Sequence, residues 1–218
     1  MIVTRKELGF PARPVNGGEW DGTKTLAEYE LARPKLNGNR VLMNQKGEVY
    51  NRHGLPYTKM GEQSRREIFA ELYRMYPAPE YSDIIWWDLE YIPSGRSSGV
   101  AVVIDVVIEI KARDRKPNPD FYERQLRYDH FPRCDPEHHP DWIPNVEQPV
   151  WRFTTYRNSM CTSIIWDAMK RTYHRYVEFG RKNEYLWEGV VVQRTDDPYE
   201  LTEHQSTNMH LQTKYRFN

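Results

Sequence analysis

The sequence predicts an α+β fold with mostly antiparallel sheets flanked by helices. Three observations predict it. Short runs rich in β-branched and aromatic residues recur from Val41 to Phe217. Two segments, Gln63–Tyr76 and Ser163–Gly180, instead carry apolar residues at helical spacing. The strands outnumber the helices and fall largely into hairpins.

The elements follow in order. Residues 1–31 are turn-rich, with a short helix expected near Thr25–Tyr29. Arg40 to Tyr50 reads as a hairpin: Val41-Leu42-Met43, a turn at Asn44–Gly47, then Glu48-Val49-Tyr50. In Gln63–Tyr76 the residues Ile68, Phe69, Leu72 and Met75 share one helical face, and Pro77 stops the helix. Ile84–Leu89 is a strand, and Val100–Ile110 is a longer one, apolar enough to be buried on both faces. The turn-rich Pro93–Gly99 joins them. Asp120–Phe131 is a helix candidate, and Pro132–Pro149, with five prolines, reads as loop. Val150–Thr155 is a strand. Ser163–Gly180 is the clearest helix, with one broad stripe from Ile164 and Ile165 to Tyr176 and Val177, and Gly180 suits its C-terminal cap. Trp187–Gln193 and Leu211–Phe217 are the last strands.

Composition narrows the function. The 218 residues carry 31 basic and 31 acidic side chains, so no basic surplus drives whole-surface binding to a polyanion; only a local patch could do so. Cys134 and Cys161 are the two cysteines, too few for a disulfide scaffold, which points to a reducing compartment. The longest apolar run already contains Asp105, and the N-terminus has no signal-peptide core. A cytoplasmic protein, of a bacterial or phage-infected cell, is expected.

Against that neutral balance, Ala32–Gly54 crowds Lys35, Arg40, Lys46 and Arg52 into one stretch. A lysine is a poor nucleophile at neutral pH because its ordinary pKa is about 10.4. Desolvation and neighbouring cations lower that value. If Asn37-Gly38 turns tightly, Lys35 and Arg40 can face one cleft, and the glycine lets a ligand approach the backbone. The crowding then makes sense for a partly neutral amine among groups that grip phosphate.

Six segments in order carry a resemblance to a known family. Lys35-Leu36-Asn37-Gly38-Asn39-Arg40 resembles the KxDGxR attachment motif of the covalent nucleotidyltransferases, the polynucleotide ligases and mRNA-capping enzymes. "NRHG" (Asn51–Gly54) is similar to the S/N-R-x-G element, and "WDLEYI" (Trp87–Ile92) to the D-G-E strand, with Glu90 in the acidic position. "VVIDVVI" (Val102–Ile108), "EGVVVQR" (Glu188–Arg194) and "KYRF" (Lys214–Phe217) resemble the remaining motifs, so the likeness covers nearly the whole chain. It implies a single nucleotidyltransferase (ATP-grasp-like adenylation) domain over residues 1–218, with no C-terminal OB-fold domain.

Carried over position by position, the resemblance implies an ATP-dependent polynucleotide ligase working through a lysyl-AMP. Lys35 would attack the α-phosphate of ATP, Arg40 and Glu90 would hold the ribose, and Ile104 would pack on the base. Arg52 would bind the 5′-phosphate of a nicked duplex. Glu188 would lie by Mg²⁺ (or Mn²⁺), and Lys214 with Arg216 would contact the α-phosphate. These roles suit a reaction that spreads charge over phosphate oxygens and needs fixed cations there. The natural partner is expected to be nicked DNA, with RNA-containing strands possible, and the protein a monomer. An RNA ligase, a capping-type guanylyltransferase and a non-catalytic module that binds nicks or ends are the alternatives.

Three positions depart from the family pattern. Asn37 stands where the motif has Asp, Arg33 where many relatives carry Glu or Gln near the adenine amino group, and Ile104 where an aromatic often stacks on the base. A separate cluster, His130, Cys134, His138 and His139, has zinc-ligand chemistry but no zinc-site spacing, and is expected to be a solvated loop.

Overall fold

A computed structural model describes residues 10–11, 14–20, 25–28, 30–76, 84–93, 99–108, 121–136, 147–196, 201–202 and 209–217. The elements run β1 (Phe10–Pro11), β2 (Pro14–Asn16), β3 (Glu30–Leu36), β4 (Asn39–Asn44), β5 (Val49–Asn51), α1 (Glu62–Met75), β6 (Ile84–Ile92) and β7 (Val100–Ile108). There follow α2 (Phe121–Leu126), β8 (Arg133–Cys134), β9 (Val150–Phe153), α3 (Ser159–Glu178), a 3₁₀ turn at Lys182–Glu184, β10 (Trp187–Arg194), β11 (Leu201–Thr202) and β12 (Met209–Arg216). The α+β class holds, with few helices and mixed but mainly antiparallel pairing; β2–β12, β7–β9 and β8–β9 are the parallel pairs.

Two sheets face each other. One has the order β2-β12-β10-β3 and the other β5-β4-β6-β7-β9-β8; β1 and β11 form a separate pair. Side chains alternate on β7: Val102 and Ile104 join Trp20, Trp166 and Trp187 in the core between the sheets and α3. Ala101 and Val103 point the other way, to Ile68 and Leu72 of α1. That two-sided burial is why the run carries almost no polar residue. The sheets are stitched where Ala32 and Tyr156 exchange two backbone hydrogen bonds of 2.8 Å. Ala32 turns its N–H away from β10 to do so, so position 34 turns the same way. Pro34, with no N–H, therefore costs β3 no bond to β10.

Several expectations need correction. Residues 25–28 form no helix; a turn closes there, with Glu30 N–H donating to the Ala27 carbonyl, and Tyr29 lies outside the described residues. The Asp120–Phe131 candidate is helical only over Phe121–Leu126, after which Arg127 and Tyr128 donate three residues back in tight turns. Part of the expected 132–149 loop pairs as β8. α3 starts four residues earlier than its apolar pattern, because Asn158 caps it by accepting from Met160 N–H at 2.7 Å. Its stripe is also narrower: Ile165, Met169 and Tyr173 are buried, whereas Ile164 and Val177 are exposed. Residues 77, 94–98 and 109–110, named above in a stop, a loop and a strand end, fall outside the described residues.

Candidate active site

The cleft between the two sheets opens into a cavity of about 640 Å³. Its wall takes Lys35, Glu188, Lys214 and Arg216 from the four-stranded sheet and Arg40, Glu90 and Ile104 from the six-stranded sheet. Arg52 sits just past β5, exposed at the rim, and donates from Nε to His53 Nε2 at 3.1 Å. Every site residue expected from the sequence thus lines one cavity.

Two irregularities in the strands aim key groups into it. Opposite β3, Trp187 pairs with Leu36 and Gly189 with Lys35, so Glu188 is the extra residue of a bulge. Gly189 has φ 148°, and a Cβ there would fall 1.8 Å from the Tyr215 carbonyl oxygen. Only glycine fits, and the Glu-Gly pair is the bulge written in sequence. The bulge sets Glu188 beside Lys35, and Glu188 Oε1 ion-pairs with Lys35 Nζ while Arg216 Nη2 lies 3.5 Å from the same oxygen. On β7 the register skips from Asp88–Asp105 to Leu89–Val103, leaving Ile104 as the extra residue. Its carbonyl is turned out of the ladder and accepts from Arg33 Nη1 at 2.9 Å and Tyr128 OH at 3.2 Å.

Gly38 does the work expected of the turn, by close approach. A Cβ at 38 would stand 2.8 Å from Glu90 Cγ and 2.8 Å from the Tyr91 carbonyl oxygen. The glycine lets the Lys35 strand cross against Glu90, which the β4–β6 register sets directly opposite Arg40. Arg40 itself reaches diagonally to Asp88, with Nε to Oδ1 at 2.9 Å and Nη2 to Oδ2 at 2.5 Å. Asp88 is fully buried and was not singled out from the sequence. Its signal was there: it lies two residues before Glu90 on a strand, hence on the same face.

Electrostatics follow from this packing. Burial lowers the Lys35 amine from its ordinary 10.5 to about 8; Glu90 pulls it back up, and Arg216, Lys214 and Arg40 push it further down. Burial likewise raises the Glu90 carboxyl, against the opposing pull of Lys35 and Arg40. Beneath the cavity, Asp105 and Arg124 form a buried fork of two 2.9 Å hydrogen bonds. Arg33, 5% exposed, lies beside them.

For a divalent cation, Glu188 is one carboxylate among cations, and no group of three His, Cys, Asp or Glu stands together among the described residues. Mg²⁺ commonly takes one or two carboxylates and fills its octahedron with water and phosphate oxygens, so this donor set fits Mg²⁺ only with a nucleotide present. The zinc-type cluster finds no support: Cys134 is fully buried, its Sγ 3.1 Å from the Arg152 carbonyl, and burial pushes its thiol pKa well up. His130 is exposed, and His138 and His139 lie outside the described residues.

No protein-family model matches the chain, and no curated protein matches it by sequence. Solved structures do. The ligase domain of LigD from M. tuberculosis superposes with a TM-score of 0.54 at 15% identity, over 95% of this chain and 59% of that one. Pmar-Lig_PreS3 gives 0.52 at 15% identity, over 86% of this chain and 42% of that one. An archaeal ATP-dependent RNA ligase gives 0.48 at 17% identity, over 95% and 48%. The first two set the class: this chain has the nucleotidyltransferase fold of ligase domains. It spans 42% to 59% of the length of those two structures. Among the described residues no helix is long and apolar enough to cross a membrane.

Proposed function

We propose that the protein is an ATP-dependent polynucleotide ligase that joins a 5′-phosphate to a 3′-hydroxyl through a lysyl-AMP. The observation that carries it is Lys35: an amine with a pKa near 8, held by Glu188 in a cleft with Glu90, Lys214 and Arg216. In the first step the Lys35 lone pair forms a bond to the α-phosphorus of ATP. The bond from that phosphorus to the bridging oxygen breaks, and pyrophosphate leaves with the electron pair. Lys214 and Arg216 bind the phosphate oxygens where charge builds up. Glu90 and Arg40 orient the ribose; Arg40 is pre-set by Asp88 and loses little freedom on binding. Bound beside Glu188, Mg²⁺ would screen phosphate charge.

AMP then passes to the 5′-phosphate of a strand, which Arg52 at the rim receives, and a 3′-hydroxyl displaces AMP to close the backbone. Residues 1–218 act in this scheme as one nucleotidyltransferase domain. With no net charge on the chain, the grip on nucleic acid rests on a local basic strip, and nicked DNA is the expected duplex.

The test is incubation with ATP labelled on the α-phosphate, Mg²⁺ and then nicked DNA, RNA or hybrid duplexes. Label is expected on the protein, lost in Lys35→Ala, and chased by nicked DNA into a sealed strand. Protein label that survives Lys35→Ala refutes the lysyl intermediate. Label that no duplex can chase refutes ligation.

A further inference from the structure

The cavity has two chemically different ends. Lys35, Lys214, Arg216 and Arg52 make one end cationic. Ile104, Val191 and Phe153 make the other apolar, with a single charged group there, Arg33. A nucleotide has matching halves. Phosphates against the cations set the base between Ile104 and Val191, within reach of Arg33.

Arg33 is held tightly at that end. Strand register places it directly across from Val191. Its Nη1 donates to the Ile104 carbonyl at 2.9 Å. Its guanidinium carbon lies 5.7 Å from the Phe153 ring centroid and 5.9 Å from that of Phe121. The carboxylates nearest to it in charge, Asp105 and Asp88, are already forked by Arg124 and Arg40. A guanidinium offers five N–H donors and no acceptor, and the bond to Ile104 uses one. What such a group needs from a ligand is acceptors.

We propose that Arg33 reads the edge of the nucleobase, and that the pocket takes guanine at least as tightly as adenine, so that GTP as well as ATP supplies the nucleotide. This rests on the reading of the cavity as a nucleotide site. Guanine presents O6 and N7 side by side, two acceptors spaced for an arginine fork; adenine presents N7 next to an amino donor, which would set N–H against N–H. With GTP, the Lys35 lone pair bonds to the α-phosphorus, pyrophosphate leaves with its electrons, and the amine proton goes to solvent.

The experiment measures binding of AMP, GMP and IMP to the full chain by calorimetry, together with transfer of α-label from ATP and GTP. GMP is expected to bind at least as tightly as AMP. In Arg33→Gln, whose amide supplies an acceptor, the ratio of GMP to AMP affinity should fall by about 5-fold or more, since a bidentate arginine–guanine pair discriminates by roughly 1–3 kcal/mol. If that variant does not fold, 7-deaza-GMP on the unsubstituted protein replaces it and should bind about 5-fold or more weaker than GMP. AMP binding tighter than GMP overturns the proposal, as does a ratio unmoved by both Arg33→Gln and the 7-deaza base. Label from ATP with either result leaves the ligase reading standing. Guanine-selective binding without label removes the ligase reading and leaves Arg33 as base reader. No binding of any nucleotide removes both.

Discussion

The sharpest consequence of the site concerns the pH at which Lys35 becomes a nucleophile. Only the neutral amine attacks. At pH 7, an amine with a pKa of about 8 is neutral about one time in ten, whereas at its ordinary 10.5 it would be neutral about once in 3,000. The buried setting therefore raises the reactive fraction about 300-fold. The single-turnover rate of label transfer should climb tenfold per pH unit below pH 8 and level off above it. Two substitutions move that midpoint in opposite directions. Arg216→Ala removes a cation that lowers the lysine, so the midpoint rises; Glu90→Gln removes the carboxylate that raises it, so the midpoint falls. Both variants lose absolute rate through weaker nucleotide binding, but the midpoint is read independently of amplitude. A rate still climbing log-linearly at pH 10, or the two variants shifting the same way, would refute the account of Lys35.

Other outcomes follow from the same geometry. Gly189→Ala should lower stability by roughly 2–5 kcal/mol in urea denaturation, since the new Cβ meets the Tyr215 carbonyl and the backbone angle is strained. Asp105→Ala strands a buried guanidinium and should cost about 3–5 kcal/mol in the same measurement, while Asp105→Leu combined with Arg124→Met should cost far less. Asp88→Asn should weaken AMP binding with little change in the midpoint of the rate–pH curve, because it loosens Arg40 and leaves Lys35 in place. Arg52→Ala should weaken nicked-duplex binding and reduce the log–log salt slope by about 1, leaving label transfer to Lys35 intact.

Much of this was legible in the sequence because its signals are local. Periodicity showed α1 and most of α3, the β4–β5 hairpin has its turn residues, and the β7 run is apolar enough to declare burial on both faces. The order of the six motif segments named the residues that line the cavity. What stayed hidden depends on partners far along the chain. β3 is a strand because β10 pairs with it, while Pro34 and Asn37-Gly38 look like a turn when read alone. The Arg124 side chain reads as solvent-facing in a short polar helix until Asp105 is packed beneath it. Bulges leave little trace beyond a glycine, so neither the outward carbonyl of Ile104 nor the placement of Glu188 could be read in advance. Arg33 was noticed as an unusual residue; its burial and direction came only from the fold.

The nucleophile and its carboxylate partner ride on one sheet, the ribose-facing pair on the other, and the seam between them is tied at Ala32 and Tyr156. Chemistry here is thus a gauge of alignment between two halves. Under mild heat or low denaturant, a slip of about an ångström along that seam would silence label transfer while each half keeps its secondary structure. Activity should fade before circular dichroism does.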